Sequence, residues 1–130
     1  MVKVAVLDLK DSTKWNHWVI GTPDEVPKSS PFYSEQLQVR YNKAIEKKDT
    51  LRNEVEHSHT PPIEEYYFVL QGMLRVKVED DVIDVNPMQI LAVPPNKRHR
   101  VVDQSSPAEF LVFRAPISSG KTKIESFEAK

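Results

Sequence analysis

Prolines punctuate this chain: there are ten of them against three glycines. They fall mostly between short apolar-alternating stretches, where a fixed φ and a missing N–H do least harm to a strand ladder. The stretches themselves are rich in Val, Ile, Leu, Phe and Tyr, repeat with period two, and carry little sign of an amphipathic helix. They predict an all-β chain, with strands near residues 3–8, 36–45, 53–59, 65–70, 73–79, 82–85, 89–93, 98–103 and 109–114. The clearest alternation is MLRVKVED, where Leu74, Val76 and Val78 face inward and Arg75, Lys77 and Glu79 face water. An acidic turn around Asp80 and Asp81 then returns the chain into VIDV as a hairpin.

Residues 12–34 show no clean period and hold three prolines, so they are read as part of an N-terminal arm of about residues 1–35, packed on a core barrel of about residues 36–116. The C-terminal KTKIESFEAK either adds one edge strand or frays. With 130 residues the chain has the length of one ordinary domain. Many short strands with frequent turns favour a closed barrel or jelly roll, because closure removes exposed sheet edges.

Composition excludes several chemistries. There is no cysteine, so disulfides, thiolate zinc sites, iron–sulfur clusters and a cysteine nucleophile are ruled out, and any metal must bind through His, Asp or Glu. A net charge of -1 supplies no basic field for nucleic acid or anionic lipid, so neither nucleic acid nor membrane is expected as a partner. The first apolar stretch is broken by Lys3, Asp8 and Lys10, unlike the core of a signal peptide, and a cytoplasmic location is the expectation.

Of the four histidines, His57 and His59 stand two apart in a strand-like segment, and Glu64 and Glu65 follow across a proline turn. Residues two apart on a strand point to the same side, so two imidazoles can grip one ion. A carboxylate at the start of the next antiparallel strand can reach the same point, and His99 can do so from a later strand. An H-x-H alone also occurs on solvated strand ends, where the glutamates are ordinary surface charges.

The longer stretch HSHTPPIEEYYFVLQG, taken with PPNKRHRV, resembles the two motifs of the cupin family. The first is H-x-H, a short spacer, Glu, then six residues to a Gly, here Gly72; the second is Pro-x-Gly-x-x-His, with Pro94 and His99 in place. The likeness runs from about Asn53 to Arg114. It implies a double-stranded β-helix, or jelly-roll, barrel in which His57, His59, Glu65 and His99 bind one divalent transition metal ion: iron, manganese, nickel, zinc or copper. Counting back from Gly72 selects Glu65, whereas the spacer after His59 fits Glu64. Glu65 is preferred because a longer turn is cheaper to absorb than a register slip that reverses every side chain. Glu64 then points outward. Met88 and Asn96 stand where the family has glycine in its second motif, Leu51 stands for the glycine before His57, and Asp103 replaces the usual Asn.

Tyr67 shares the side of Glu65, either as a hydrogen-bond donor near the ion or as packing with its hydroxyl at the rim. On the last strand, either Phe110, Val112 and Arg114 or Leu111 and Phe113 line the interior. In the first case Arg114 is a fork for a carboxylate or phosphate. Outward salt-bridging of Arg114 is the preferred reading. Lys97, Arg98 and Arg100 form a solvated run beside His99, and Trp15, His17 and Trp18 are expected to pack in the arm.

The resemblance permits a metal-dependent oxygenase, decarboxylase or isomerase acting on a small anionic metabolite, with Tyr67 and Arg114 as candidate catalytic residues. A non-catalytic module that binds or senses a small molecule is the alternative, and a homodimer is expected because family members commonly pair through their sheets.

Overall fold

The computed structural model describes residues 5–9, 16–22, 26–45, 56–116 and 124–127. Among these residues the strands are β1 (Asn16–Ile20), β2 (Gln38–Ala44), β3 (Glu56–His59), β4 (Glu64–Gln71), β5 (Leu74–Val78), β6 (Asp81–Val85), β7 (Ile90–Val93), β8 (His99–Gln104), β9 (Ala108–Ala115) and β10 (Ile124–Phe127). They form two five-stranded sheets, ordered β1-β2-β9-β4-β7 and β10-β3-β8-β5-β6. Every pairing between strands is antiparallel. No helix among the described residues is long and apolar enough to cross a membrane.

The sheets face each other across a core of Tyr67, Val69, Leu74, Val76, Val85, Val93, Val101, Phe110 and Val112. Six strands from both sheets supply it, and each fully buried aliphatic or aromatic side chain contributes about 1.5–3 kcal/mol. Leu74 and Val76 are buried and Val78 packs beside them, as the alternation of that segment requires. The hairpin turn after β5 is Glu79–Asp80, one residue earlier than expected, and Glu79 takes the left-handed conformation at φ 52°.

Two expectations fail in the N-terminal part. Residues 5–8 form no strand, and residues 3 and 4 lie outside the described residues. The edge beside β2 is taken by β1, so this segment has no ladder to join; Val6 is 93% exposed. Conversely, β1 lies within 12–34, which was read as arm without a strand. It pairs with β2 through a bulge between Trp18 and Ile20. Trp18 is opposite Arg40 on the inner face, while Val19 joins an outer cluster with Val39 and Tyr41. The bulge breaks the period-two pattern of so short a strand, and this hid β1. The C-terminal segment does add an edge strand, β10, beside β3. Trp15 and residues 53–55 lie outside the described residues.

The turn between β6 and β7 explains the glycine missing at Met88. Gln89 N–H donates to the Asn86 carbonyl at 3.0 Å, closing a Pro87–Met88 turn in which Met88 has φ 67°. The left-handed conformation that glycine favours is therefore retained with a side chain that is 74% exposed. Left-handed backbone costs a residue with a Cβ about 1–2 kcal/mol, and glycine loses back roughly 0.5–1 kcal/mol in chain entropy. Met88→Gly is expected to stabilise the fold by about 0.5–1 kcal/mol, read as a higher urea midpoint with unchanged slope. A lower midpoint would show that the turn relaxes around methionine.

Candidate metal centre

β3 carries His57 and His59, separated by one residue, and β8 begins at His99. His57 and His99 are direct cross-strand partners. Their ring centroids lie 4.3 Å apart, and His59 lies 5.2 and 5.4 Å from the two. The turn before β8 is tied to β3, because Asn96 N–H donates to the His59 carbonyl at 2.8 Å. Asn96 has φ 68°, so the second glycine position also keeps its left-handed conformation, here with the residue that best tolerates it.

Glu65 arrives from the opposite sheet. It is fully buried, whereas Glu64 is exposed and accepts a hydrogen bond from the Tyr66 hydroxyl at 2.9 Å. The register argument thus chose the inward carboxylate. Its Oε1 lies 2.7 Å from His99 Nε2 and accepts from the Tyr67 hydroxyl at 2.8 Å. Its Oε2 lies 3.2 Å from His59 Nε2 and accepts from Arg114 Nε. Burial alone would raise the Glu65 pKa. The Arg114 guanidinium, helped by the His59 and His99 imidazoles, outweighs burial and holds the carboxyl well below its ordinary value.

Sequence reasoning preferred Arg114 pointing outward. The structure corrects this: β9 alternates with Ala108, Phe110, Val112 and Arg114 buried, so the guanidinium faces the interior. Leu111 and Phe113 pack on the other face against the outer cluster. Glu65 is directly across the ladder from Arg114, which therefore carries a salt bridge rather than a free fork. Tyr67 is also inward and fully buried, with its hydroxyl on the carboxylate rather than at the rim. Lys97 and Arg98 are exposed and Arg98 pairs with Glu79 at 3.3 Å, as a solvated run should.

His57, His59, Glu65 and His99 each offer one donor atom, all within 4.8 Å of one another. Donor–ion distances of about 2.0–2.2 Å place opposite ligands roughly 4.2 Å apart, so the set needs to close by only a fraction of an ångström. His59 Nδ1 is buried without a hydrogen-bond partner among the described residues, an expensive arrangement unless the ring serves another purpose. His99 Nδ1 lies 2.9 Å from the Lys97 carbonyl, which can only accept. Nδ1 therefore carries a proton, and Nε2 is the nitrogen turned to the cluster. The donors fit a divalent ion.

Two interior residues, Arg40 and Asn42, escaped sequence reasoning, and Trp18, expected to pack in the arm, faces the same interior. Trp18, Arg40, Val112, Tyr67 and Leu91 form one row across the first sheet; Gln38, Arg114, Glu65 and Val93 form the next. Arg40 and Trp18 therefore share the inner face with Glu65, and Asn42 lies on it opposite the core residue Phe110. Gln38-Val39-Arg40-Tyr41-Asn42 does alternate, but its apolar residues join the outer cluster and its polar side is the interior.

Known proteins agree with this architecture. The TT1209 protein of Thermus thermophilus is 24% identical, with a TM-score of 0.62 over 87% of this chain and 98% of that one. The DMSP lyase DddQ of Ruegeria pomeroyi is 22% identical, with a TM-score of 0.57, covering 85% of this chain and 49% of that one. Pac13 of Streptomyces, with uridine, is 14% identical, with a TM-score of 0.53, covering 81% of this chain and 78% of that one; it is described as a nucleoside dehydratase. At such identities these structures show a common fold, the double-stranded β-helix. No curated protein matches the chain by sequence. The cupin-domain pattern matches residues 50–114, half of the chain and the half that contains all four clustered donors, and the chain belongs to the cupin-domain family.

Proposed function

We propose that His57, His59, Glu65 and His99 hold one divalent transition-metal ion, and that the protein is a metal-dependent enzyme acting on a small anionic metabolite. The observation that carries this reading is the buried four-donor cluster joined to a charged and a phenolic side chain, Arg114 and Tyr67. A bound ion there supplies Lewis acidity and, if it is iron, a site for dioxygen. Iron, manganese, nickel, zinc and copper all suit three imidazoles and a carboxylate. Arg114 keeps Glu65 ionised and oriented. The Tyr67 hydroxyl holds a proton 2.8 Å from Glu65 Oε1, where it can be exchanged with a bound substrate. The Lys97 carbonyl fixes the tautomer of His99. The lyase and the dehydratase among the structural neighbours support catalysis as the use of such a site, and they add elimination to the oxygenase, decarboxylase and isomerase classes.

Elemental analysis of the purified protein tests the reading. One ion per chain is expected, and His57→Ala or His99→Ala should weaken its retention by more than the roughly 10–100-fold that loss of an outer partner costs. Folded protein that takes up no divalent ion even after reconstitution would refute it. Stoichiometric binding without turnover under any metal would favour a binding module over an enzyme.

A homodimer belongs to the same proposal. The outer face of the first sheet presents Leu37, Tyr66, Phe68, Ile90 and Phe113 around an apolar cavity, and Ile90 is 61% exposed. Such a patch suits a second copy packed sheet to sheet. Light scattering should give twice the chain mass, falling to one chain mass for Ile90→Lys; a monomeric wild type would overturn the pairing.

A further inference from the structure

The geometry points to a carboxylate-binding subsite at Arg40, backed by the Trp18 ring, which makes the metabolite a small carboxylate held between this guanidinium and the metal centre. This rests on the proposed function and specifies its substrate class. With Arg114 committed to Glu65, the anion anchor has to be another cation. Arg40 is the inward guanidinium without a carboxylate partner among the described residues. Its Nε is sealed from solvent and makes no hydrogen bond there. An arginine cannot shed its proton to relieve that cost, and an acceptor brought to the guanidinium would offset it.

The setting selects the ligand. Arg40 Cζ lies 5.5 Å from the Trp18 ring centroid and Arg114 Cζ lies 5.2 Å from it. Both guanidinium groups lie over the one indole, and the planar edge of Arg40 suits a planar anion, to which a guanidinium binds bidentately. Trp18 and Arg40 are only partly buried, so this end of the inner face meets solvent and offers entry. Arg40 stands two strands and two residues from Glu65, roughly 12 Å between Cα atoms, and both side chains extend into the same interior. Val112 lies directly between Arg40 and Tyr67 in the row.

Succinate is a suitable probe and uncharged succinamide its control. Both are titrated calorimetrically into ion-loaded protein and into protein stripped of ion by a chelator, with metal content measured on each sample. Succinate should bind both forms, more tightly with ion, and succinamide neither. Arg40→Met should weaken succinate at least tenfold or so in both forms, with metal content unchanged, whereas Arg40→Lys should retain part of the affinity. If Arg40→Met does not fold, Arg40→Gln takes its place against Arg40→Lys. Equal succinate affinity in wild type and Arg40→Met, equal binding of succinamide, or no succinate binding by either form would each overturn the subsite. Failure of the protein to take up ion would sink the metal reading alone, because the stripped form still reports on Arg40.

Discussion

Glu65→Gln is expected to cost the metal-free protein about 3–5 kcal/mol, the penalty for breaking a buried ion pair from one side. The substitution keeps volume and leaves an acceptor for the Tyr67 hydroxyl, so packing changes little. What it removes is the charge opposite Arg114, which is 7% exposed and cannot neutralise itself. For a chain of this length the melting temperature should fall by roughly 10–20 °C. Arg114→Met should cost less, because Glu65 keeps the His59 and His99 imidazoles and the Tyr67 hydroxyl beside it. The double variant should recover much of the loss, since it leaves no unpaired buried charge. Acid completes the argument. The folded Glu65 pKa is depressed, so its contribution is full above the ordinary carboxylate value of 4.5 and is lost as pH falls toward the depressed one. Thermal unfolding across pH 2–7 should therefore show an acid-dependent loss in the wild type that Glu65→Gln lacks. A cost under about 1 kcal/mol at neutral pH, with no change in acid sensitivity, would mean that Arg114 is solvated and the pair is decorative.

Gly72→Ala is expected to be as damaging, for a reason unrelated to charge. Gly72 follows β4 at φ 78° and lies against the turn between β8 and β9. A Cβ there would collide with Ser105 Oγ and the Pro107 carbonyl, and would come within 2.9 Å of Ala108 Cα. Ser105 has no room to yield: its Oγ donates to the Pro107 carbonyl at 2.8 Å and accepts from Met73 N–H at 2.8 Å. Left-handed backbone costs about 1–2 kcal/mol and forced overpacking about 1–3 kcal/mol more, so the total is roughly 2–5 kcal/mol. Denaturant unfolding measures it. Because Gly72 touches none of the four clustered donors, the fraction that remains folded should hold metal as the wild type does. A loss below about 1 kcal/mol would show that the turn shifts freely.

The comparison of Gly72 with Met88 and Asn96 shows what could be read in the sequence. All three have positive φ. Glycine survives where space forbids a Cβ and is replaced where only the dihedral matters, so departures from the family pattern at Met88 and Asn96 left the backbone path intact. For the same reason strands β2 to β9 were legible: turn chemistry and alternation agreed. The choice of Glu65 over Glu64 followed from the spacing to Gly72 together with the pleat. β1, the inward course of Arg114 and the presence of Arg40 were not legible. Alternation distinguishes wet from dry faces, and the first sheet has no wet face of the usual kind: its outer side is apolar and partly covered, and its inner side carries Arg40, Asn42, Glu65 and Arg114. Polar residues there read as solvent-facing although they face the interior.

The Glu65 carboxylate belongs to one sheet, while the imidazoles it meets belong to the other. Next to it β3 joins β8 through a single residue pair, His57 with His99, so the backbone ladder alone is a thin seam. Parting the sheets at this end would strip the buried carboxylate of both imidazoles at the same moment and leave it only Arg114 and Tyr67 of its own sheet. Loosening of the barrel mouth and exposure of that charge are thus one event, and this end of the molecule opens as a latch opens, all at once, rather than by gradual fraying.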